Sequence, residues 1–320
     1  MTPGSARRAL LLHLAVIALL LALQFVVPAY HHRNLARIMV LASYAVGYNL
    51  LMGYTGLLSL GHAMFFAAGL YGAGLAAQNL GLDAPSAFAL GIAAGLALAL
   101  AVGLLALRTS GVSFIIVTLM FAQAAFLLIL YFNDITRGDE GFVLQGAARR
   151  GSMAGLAFDL GNPTTRYNIA LLLFSICLLG CHGLVRSGVG RVLIAVRENE
   201  ERTMMLGYNT FRYKLAALAL SGAISGAAGA AYALLFSYVG ASFASIQYSI
   251  LPLLWVLLGG SGTMLGPLLG TALVLYMVDA SSEYTSSYML VVGVALVLLV
   301  LWFPKGILGS LRERGLRWLP

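Results

Sequence analysis

SAFALGIAAGLALALAVGLLAL, residues 86–107, runs for 22 residues without a charge or a proline. As a helix rising 1.5 Å per residue it spans about 33 Å, enough to cross the ~30 Å hydrocarbon core of a bilayer. It offers no polar face to water, so it needs lipid or protein on every side. Similar runs recur through the chain at 10–28, 35–53, 57–78, 112–131, 167–185 and 211–236, making seven continuous spans. Three shorter runs follow at 249–260, 267–278 and 288–303, of which the first two are too short to cross simply and read as half-helices or re-entrant segments. The expected fold is therefore all-α: a polytopic transmembrane bundle of about ten hydrophobic segments. The first run follows Arg7 and Arg8 as a signal peptide would, but its long apolar core and the lack of a clear A-x-A site make it the first helix.

Composition agrees with this reading. Of 320 residues, 61% are hydrophobic and 9% charged, and mean hydropathy is +0.92, unlike a soluble domain. Cys177 and Cys181 lie in one apolar run and read as small buried side chains; with His182 they lack the further ligands of a metal site. Neither Lys214 nor Lys305 stands in a G-x-x-x-x-G-K-[ST] string, so no phosphate-cradling loop is present, and the Gly72/Gly74/Ala77 pattern lies in a span without a preceding strand. No cofactor is expected. None of the ten segments contains Asp or Glu, which disfavours a proton-driven carrier and an acid–base enzyme but leaves sodium coupling through carbonyls open.

Basic residues set the orientation. With ten crossings and a cytoplasmic N-terminus, thirteen of the nineteen Lys and Arg fall inside, and Arg33, Arg37, Arg137, Arg149, Arg150 and Arg166 fall outside. Both termini are then cytoplasmic. The net charge of +8 is mainly this topology signal, with anionic lipid a secondary partner and no stripe suited to nucleic acid. The chain reads as one transmembrane domain, residues 1–320. Its first half is 10–131, a periplasmic connection is 132–166, the second half is 167–303, and a cytoplasmic loop is 186–210. Five segments per half make the halves run oppositely, an inverted repeat.

Each half carries a Gly-interrupted stretch, GYTGLLSLGHAMFFAAG (53–69) and LLGGSGTMLGPLLG (257–270), where backbone polar groups can face a substrate path. Candidate pathway residues are Ser59, Gly61, His62, Phe65 and Gln123 with Gly259, Gly260 and Gly262; His62 also fits a satisfied core histidine. Gly91/Gly95 and Gly222/Gly226 are small-xxx-small pairs for tight helix crossing. RENEERTMMLGYNTFRYK, residues 197–214, carries mixed charge on a short surface helix before a break at Gly207. It fits a solvated face or a docking element for a separate motor.

The ERTMMLG string from Glu201 to Gly207 resembles the EAA-x-x-x-G coupling motif of bacterial ABC importer permeases, with Arg202 and Thr203 at the two alanines. GYTGLLSLGHAMFFAAGLYGAG (53–74), RTSGVSFIIVTLMFAQ (108–123), the 197–230 stretch and the 257–270 stretch, in order over essentially the whole chain, resemble the LivM-type permeases of branched-chain amino-acid importers. The SLGH string separates them from the sister LivH type. Leu57, where many relatives have Gln, and ITRGDEG (135–141), where Arg137 and Glu140 depart from the T-G-G-x-D-G pattern, leave the substrate open among branched-chain amino acids, urea, amides and aromatic acids. The resemblance implies an inner-membrane assembly with a LivH-type partner, two cytoplasmic ATP-binding subunits and a periplasmic substrate-binding protein. In it Arg197, Glu198, Glu200, Glu201, Arg202 and Gly207 would couple to the ATPase, and this chain would be a transport subunit rather than an enzyme.

Overall fold

The structure, a computed structural model, describes residues 3–145, 150–153, 156–285, 287–303 and 305–314. Arg149 and Arg317 of the basic-residue count lie outside them. In chain order the helices are α1 (Pro3–Leu23), α2 (Ala29–Asn49, continued by a π turn, Leu50–Tyr54), α3 (His62–Asn79), α4 (Ala84–Ala106), α5 (Val112–Tyr131), α6 (Asn133–Thr136), α7 (Pro163–Arg186), α8 (Gly188–Glu198), α9 (Glu200–Met205), α10 (Thr210–Phe236), α11 (Ile246–Gly259), α12 (Gly266–Tyr284), α13 (Tyr288–Trp302) and α14 (Gly306–Arg314). Ten of them fall on the ten hydrophobic segments. Five are individually long and apolar enough to cross a membrane: α2 with its π turn, α4, α5, α7 and α10. The chain is thus a multi-pass helical membrane protein. The strands are short: β1 (Phe142–Val143) pairs antiparallel with β4 (Tyr238–Val239), and β2 (Arg150–Met153) with β3 (Leu156–Asp159).

The sets α1–α5 and α7, α10–α13 are interlocked. The second helix of one set, α2, packs on α11 and α12 of the other, while its counterpart α10 packs on α3 and α4 of the first. These two helices are the most enclosed of the five spans, and α4 and α5 the least. Small residues permit the close crossing. A Cβ on Gly95 would stand 2.7 Å from Gly226 Cα and 2.9 Å from the Gly222 carbonyl oxygen, and one on Gly69 would collide with the Gly226 backbone. Gly91/Gly95 and Gly222/Gly226 therefore face one another across the α4–α10 contact. Between α2, α3 and α11 lies an aromatic core in which Tyr44 meets Phe66 at 5.0 Å and Phe66 meets Tyr248 at 5.1 Å.

Four boundaries differ from the sequence reading. The third segment is not helical from residue 57; α3 starts at His62, because 56–61 leaves the helix with left-handed backbone at Gly56 (φ 79°) and is bonded by side chains of α2 and α5. Residues 267–278 are part of a 19-residue helix, α12, long enough to cross: it continues through Asp279 and Glu283, whose charges ended the apolar run but not the helix. The surface helix expected over 197–207 is two helices, broken at Asn199, which is extended and caps α9 by accepting from the Arg202 amide. Finally, the interruption that follows the second helix in each set is 55–61 in one and 237–245 in the other. The 257–270 stretch follows a third helix, so the two Gly-rich stretches are not equivalent by order.

Candidate functional site

Leaving the helix at Tyr54 exposes backbone polar groups that lipid cannot satisfy, so other elements must supply partners. Tyr48 donates to the Ser59 carbonyl (2.9 Å), Thr118 of α5 accepts from the Leu60 amide (3.3 Å), and Ser59 Oγ accepts from the Gly61 amide (3.2 Å). Ser249 of α11 accepts from the Ala63 amide (3.0 Å). His62 Nε2 lies 2.8 Å from Ser221 Oγ, whose single proton goes to the Gly47 carbonyl at 2.6 Å. The hydroxyl therefore accepts from His62, so the proton sits on Nε2 and Nδ1 is an acceptor with no hydrogen-bond partner among the described residues. Ser59, His62, Ser221 and Ser249 are fully buried. Ser221 lies eleven residues into the 27-residue α10, seven beyond Lys214, which puts this polar cluster within the apolar span.

A second cluster gathers at the end of the bundle where α2 stops. Asn49, 2% exposed, donates to the Thr263 carbonyl (2.9 Å) and accepts from the Gly262 amide (3.0 Å), joining the π turn to the loop 260–265. That loop needs left-handed backbone at Gly260 (φ 119°) and Gly262 (φ 70°). The Arg197 guanidinium donates to the Gly53 carbonyl, and a Cβ on Gly262 would lie 3.2 Å from the same guanidinium. One side chain at the end of α8 thus touches both interruptions. Beyond it, Glu200 pairs with Lys214 at 2.5 Å, linking α9 to the first turn of α10.

The expected site residues therefore divide. Ser59, Gly61, His62 and Phe65 belong to the first buried cluster, with the Phe65 and His62 rings 5.3 Å apart. Gly259, Gly260 and Gly262 belong to the Arg197 cluster or its backing, Gly259 being pressed on the Gly266 backbone. Gln123 is half-buried on α5, while Thr118 is the α5 side chain hydrogen-bonded to the non-helical segment. Among the coupling candidates, Glu198, Glu201, Arg202 and Gly207 are exposed, and Gly207 has φ 88° with open space beside it. Asn49, Thr118, Ser221 and Ser249 were missed. Each is a polar residue inside an apolar run, a signal present in the sequence.

Comparison with known families resolves what such a bundle is for. The model for "Branched-chain amino acid transport system / permease component" matches residues 32–301. The chain belongs to this family. Members similar to it include the "High-affinity branched-chain amino acid transport system permease protein LivM" of Escherichia coli K12, 30% identical over 97% of this chain and 77% of the relative. The Salmonella typhimurium LT2 protein of the same name is 29% identical over the same shares. A "Probable branched-chain amino acid transport permease protein LivM" of Methanocaldococcus jannaschii is 32% identical over 32% of this chain and 30% of its own length. No solved structure matches. These relatives are transport permeases. Both polar clusters and the exposed α9 lie within the matched region.

Proposed function

We propose that this permease is the membrane subunit of an ATP-binding-cassette importer that carries branched-chain amino acids into the cytoplasm. It sits in the inner membrane with both termini cytoplasmic, beside a LivH-type partner, two cytoplasmic ATP-binding subunits and a periplasmic binding protein. The carrying observation is the continuity from α9 to the interrupted helices. α9 exposes Glu201 and Arg202 and leaves Met205 85% and Leu206 71% exposed. An apolar tip beside charges suits insertion into a groove on a motor subunit. Its neighbour α8 carries in its last turn Arg197, which holds the Gly53 carbonyl against the 260–265 loop. Displacement of α8 and α9 by ATP-driven closure would pull on both interruptions. Opening between them would uncover the Ser59–His62 cluster, which is fully enclosed in this conformation.

The test is reconstitution of the complete transporter in liposomes with labelled leucine, isoleucine and valine. Glu201→Ala and Gly207→Val are expected to insert normally but to lower uptake, through weaker association of the ATPase or hydrolysis unlinked to transport. His62→Ala is expected to alter uptake while the subunits still co-purify. Uptake by this chain without an ATPase would overturn the importer assignment. Wild-type uptake, hydrolysis and co-purification in both α9 variants would overturn the coupling role.

A further inference from the structure

At the end of the bundle remote from Arg197, two adjoining cavities of about 790 and 460 Å³ open beside the first turns of α2, sharing Arg33, Asn34 and Arg166 on their walls. We propose that this vestibule is a recognition subsite for the zwitterionic head of an amino acid, with Arg33 and Arg37 taking the carboxylate and Asp279 the ammonium. The inference rests on the importer reading above and adds the chemistry by which the membrane subunit itself holds the substrate.

Arg33 and Arg37 are one helical turn apart on α2, so their side chains lie along one face. Both are exposed and both line the second cavity. Neither makes an ion pair among the described residues. Arg166 enters from the start of α7 with its guanidinium 5.7 Å above the Phe236 ring, giving the wall a third positive charge. The guanidiniums of Arg33 and Arg37, without an ion pair among the described residues, suit a planar carboxylate, which two parallel N–H groups can bind at once.

The negative group is also held in place. Asp279 Oδ2 accepts from Asn34 Nδ2 (2.7 Å) and from the Tyr30 hydroxyl (3.2 Å), both on α2. Its other oxygen accepts no bond among the described residues, which leaves it for an incoming ammonium. Asn34 lines both cavities and also a narrow cleft with Arg37 and Asp279, which is closed to water in this conformation, so the ammonium partner sits just behind the cavity wall, on the far side of Asn34. Val27, Tyr232 and Phe236 add apolar wall for a hydrocarbon side chain. A cavity of this size is in the range of small-molecule sites.

The test uses the membrane complex with its ATPase subunits, purified without the binding protein, and labelled leucine at millimolar concentration. Displacement is expected with unlabelled leucine, and much less with leucinamide, which lacks the carboxylate, or 4-methylpentanoate, which lacks the ammonium. The double variant Arg33→Gln/Arg37→Gln is expected to raise KM for uptake about tenfold or more, with Arg37→Lys intermediate and Asp279→Asn weakening leucine but not 4-methylpentanoate. Co-purification and a normal elution profile show that each variant is assembled. The proposal falls if the wild-type complex binds no leucine, if leucinamide competes as well as leucine, or if the double variant keeps the wild-type KM. A variant that needs more binding protein yet binds leucine normally also overturns it, assigning the arginines to protein docking. A wild-type transporter that takes up no branched-chain amino acid refutes the substrate reading itself, in a lane that contains no variant.

Discussion

Replacing Asn49 with alanine removes both hydrogen bonds that join the π turn at the end of α2 to the 260–265 loop. The partners are backbone groups at a site where Asn49 is 2% exposed, so water cannot readily replace the amide. Each lost bond costs about 0.5–1.5 kcal/mol net, and a stranded buried amide or carbonyl about 1–3 kcal/mol. With relaxation of the loop the sum is about 2–4 kcal/mol, or a factor of about 30 to 1,000 in the folded population. Asn49→Asp is expected to be no better: it keeps an acceptor for the Gly262 amide but sets a carboxylate oxygen against the Thr263 carbonyl. The assay is denaturant unfolding in detergent followed by tryptophan fluorescence, for which buried Trp255 on the adjoining α11 is a reporter, together with uptake by the reconstituted transporter. Stability within about 0.5 kcal/mol of wild type and normal uptake would refute the idea that this amide holds the two interruptions together.

Gly69→Val forces side-chain atoms into the Gly226 backbone and is expected to cost at least about 1–3 kcal/mol, read as lost thermal stability of the purified complex; unaltered stability would mean that the α3–α10 contact is looser than described. Lys214→Met removes the 2.5 Å pair to Glu200, and because Glu200 keeps contact with solvent the expected loss is about 1 kcal/mol rather than that of a fully buried pair. Protease nicking near α9 should then become faster. Single cysteines at Ser187 or, because Thr203 is only 3% exposed, at the 85% exposed Met205, in a background lacking Cys177 and Cys181, should resist membrane-impermeant reagents in intact cells; labelling would reverse the orientation.

Which parts of this architecture could be read from the residues follows from what each signal measures. Hydropathy reports transfer into lipid, and it found the ten segments because the helices are mostly apolar throughout. It failed where tertiary partners changed the balance. Leu57, Leu58 and Leu60 look helical, but the amides and carbonyls around them are satisfied by Tyr48, Ser59 and Thr118, an arrangement no local scale contains. Asp279 ended a predicted segment although Asn34 and Tyr30 hold it within α12. Ser59 and His62 could be singled out as polar groups among apolar neighbours, whereas the joining of Arg197 to Gly53 depends on a contact between residues 144 apart in sequence.

The reciprocal packing of α2 and α10 also constrains how the protein is made. Asn49 reaches its partner Gly262 across 213 residues, which at 5–20 residues per second takes about 10–40 s to synthesise. Throughout that interval α2 has entered the membrane, yet α11 and α12, which it packs against, do not exist. Its buried amide and the tyrosines at 44 and 48 must wait beside lipid, the insertion machinery or other nascent helices. The first five helices are thus a waiting intermediate rather than a finished half, and the last segments to emerge complete the packing of one of the first.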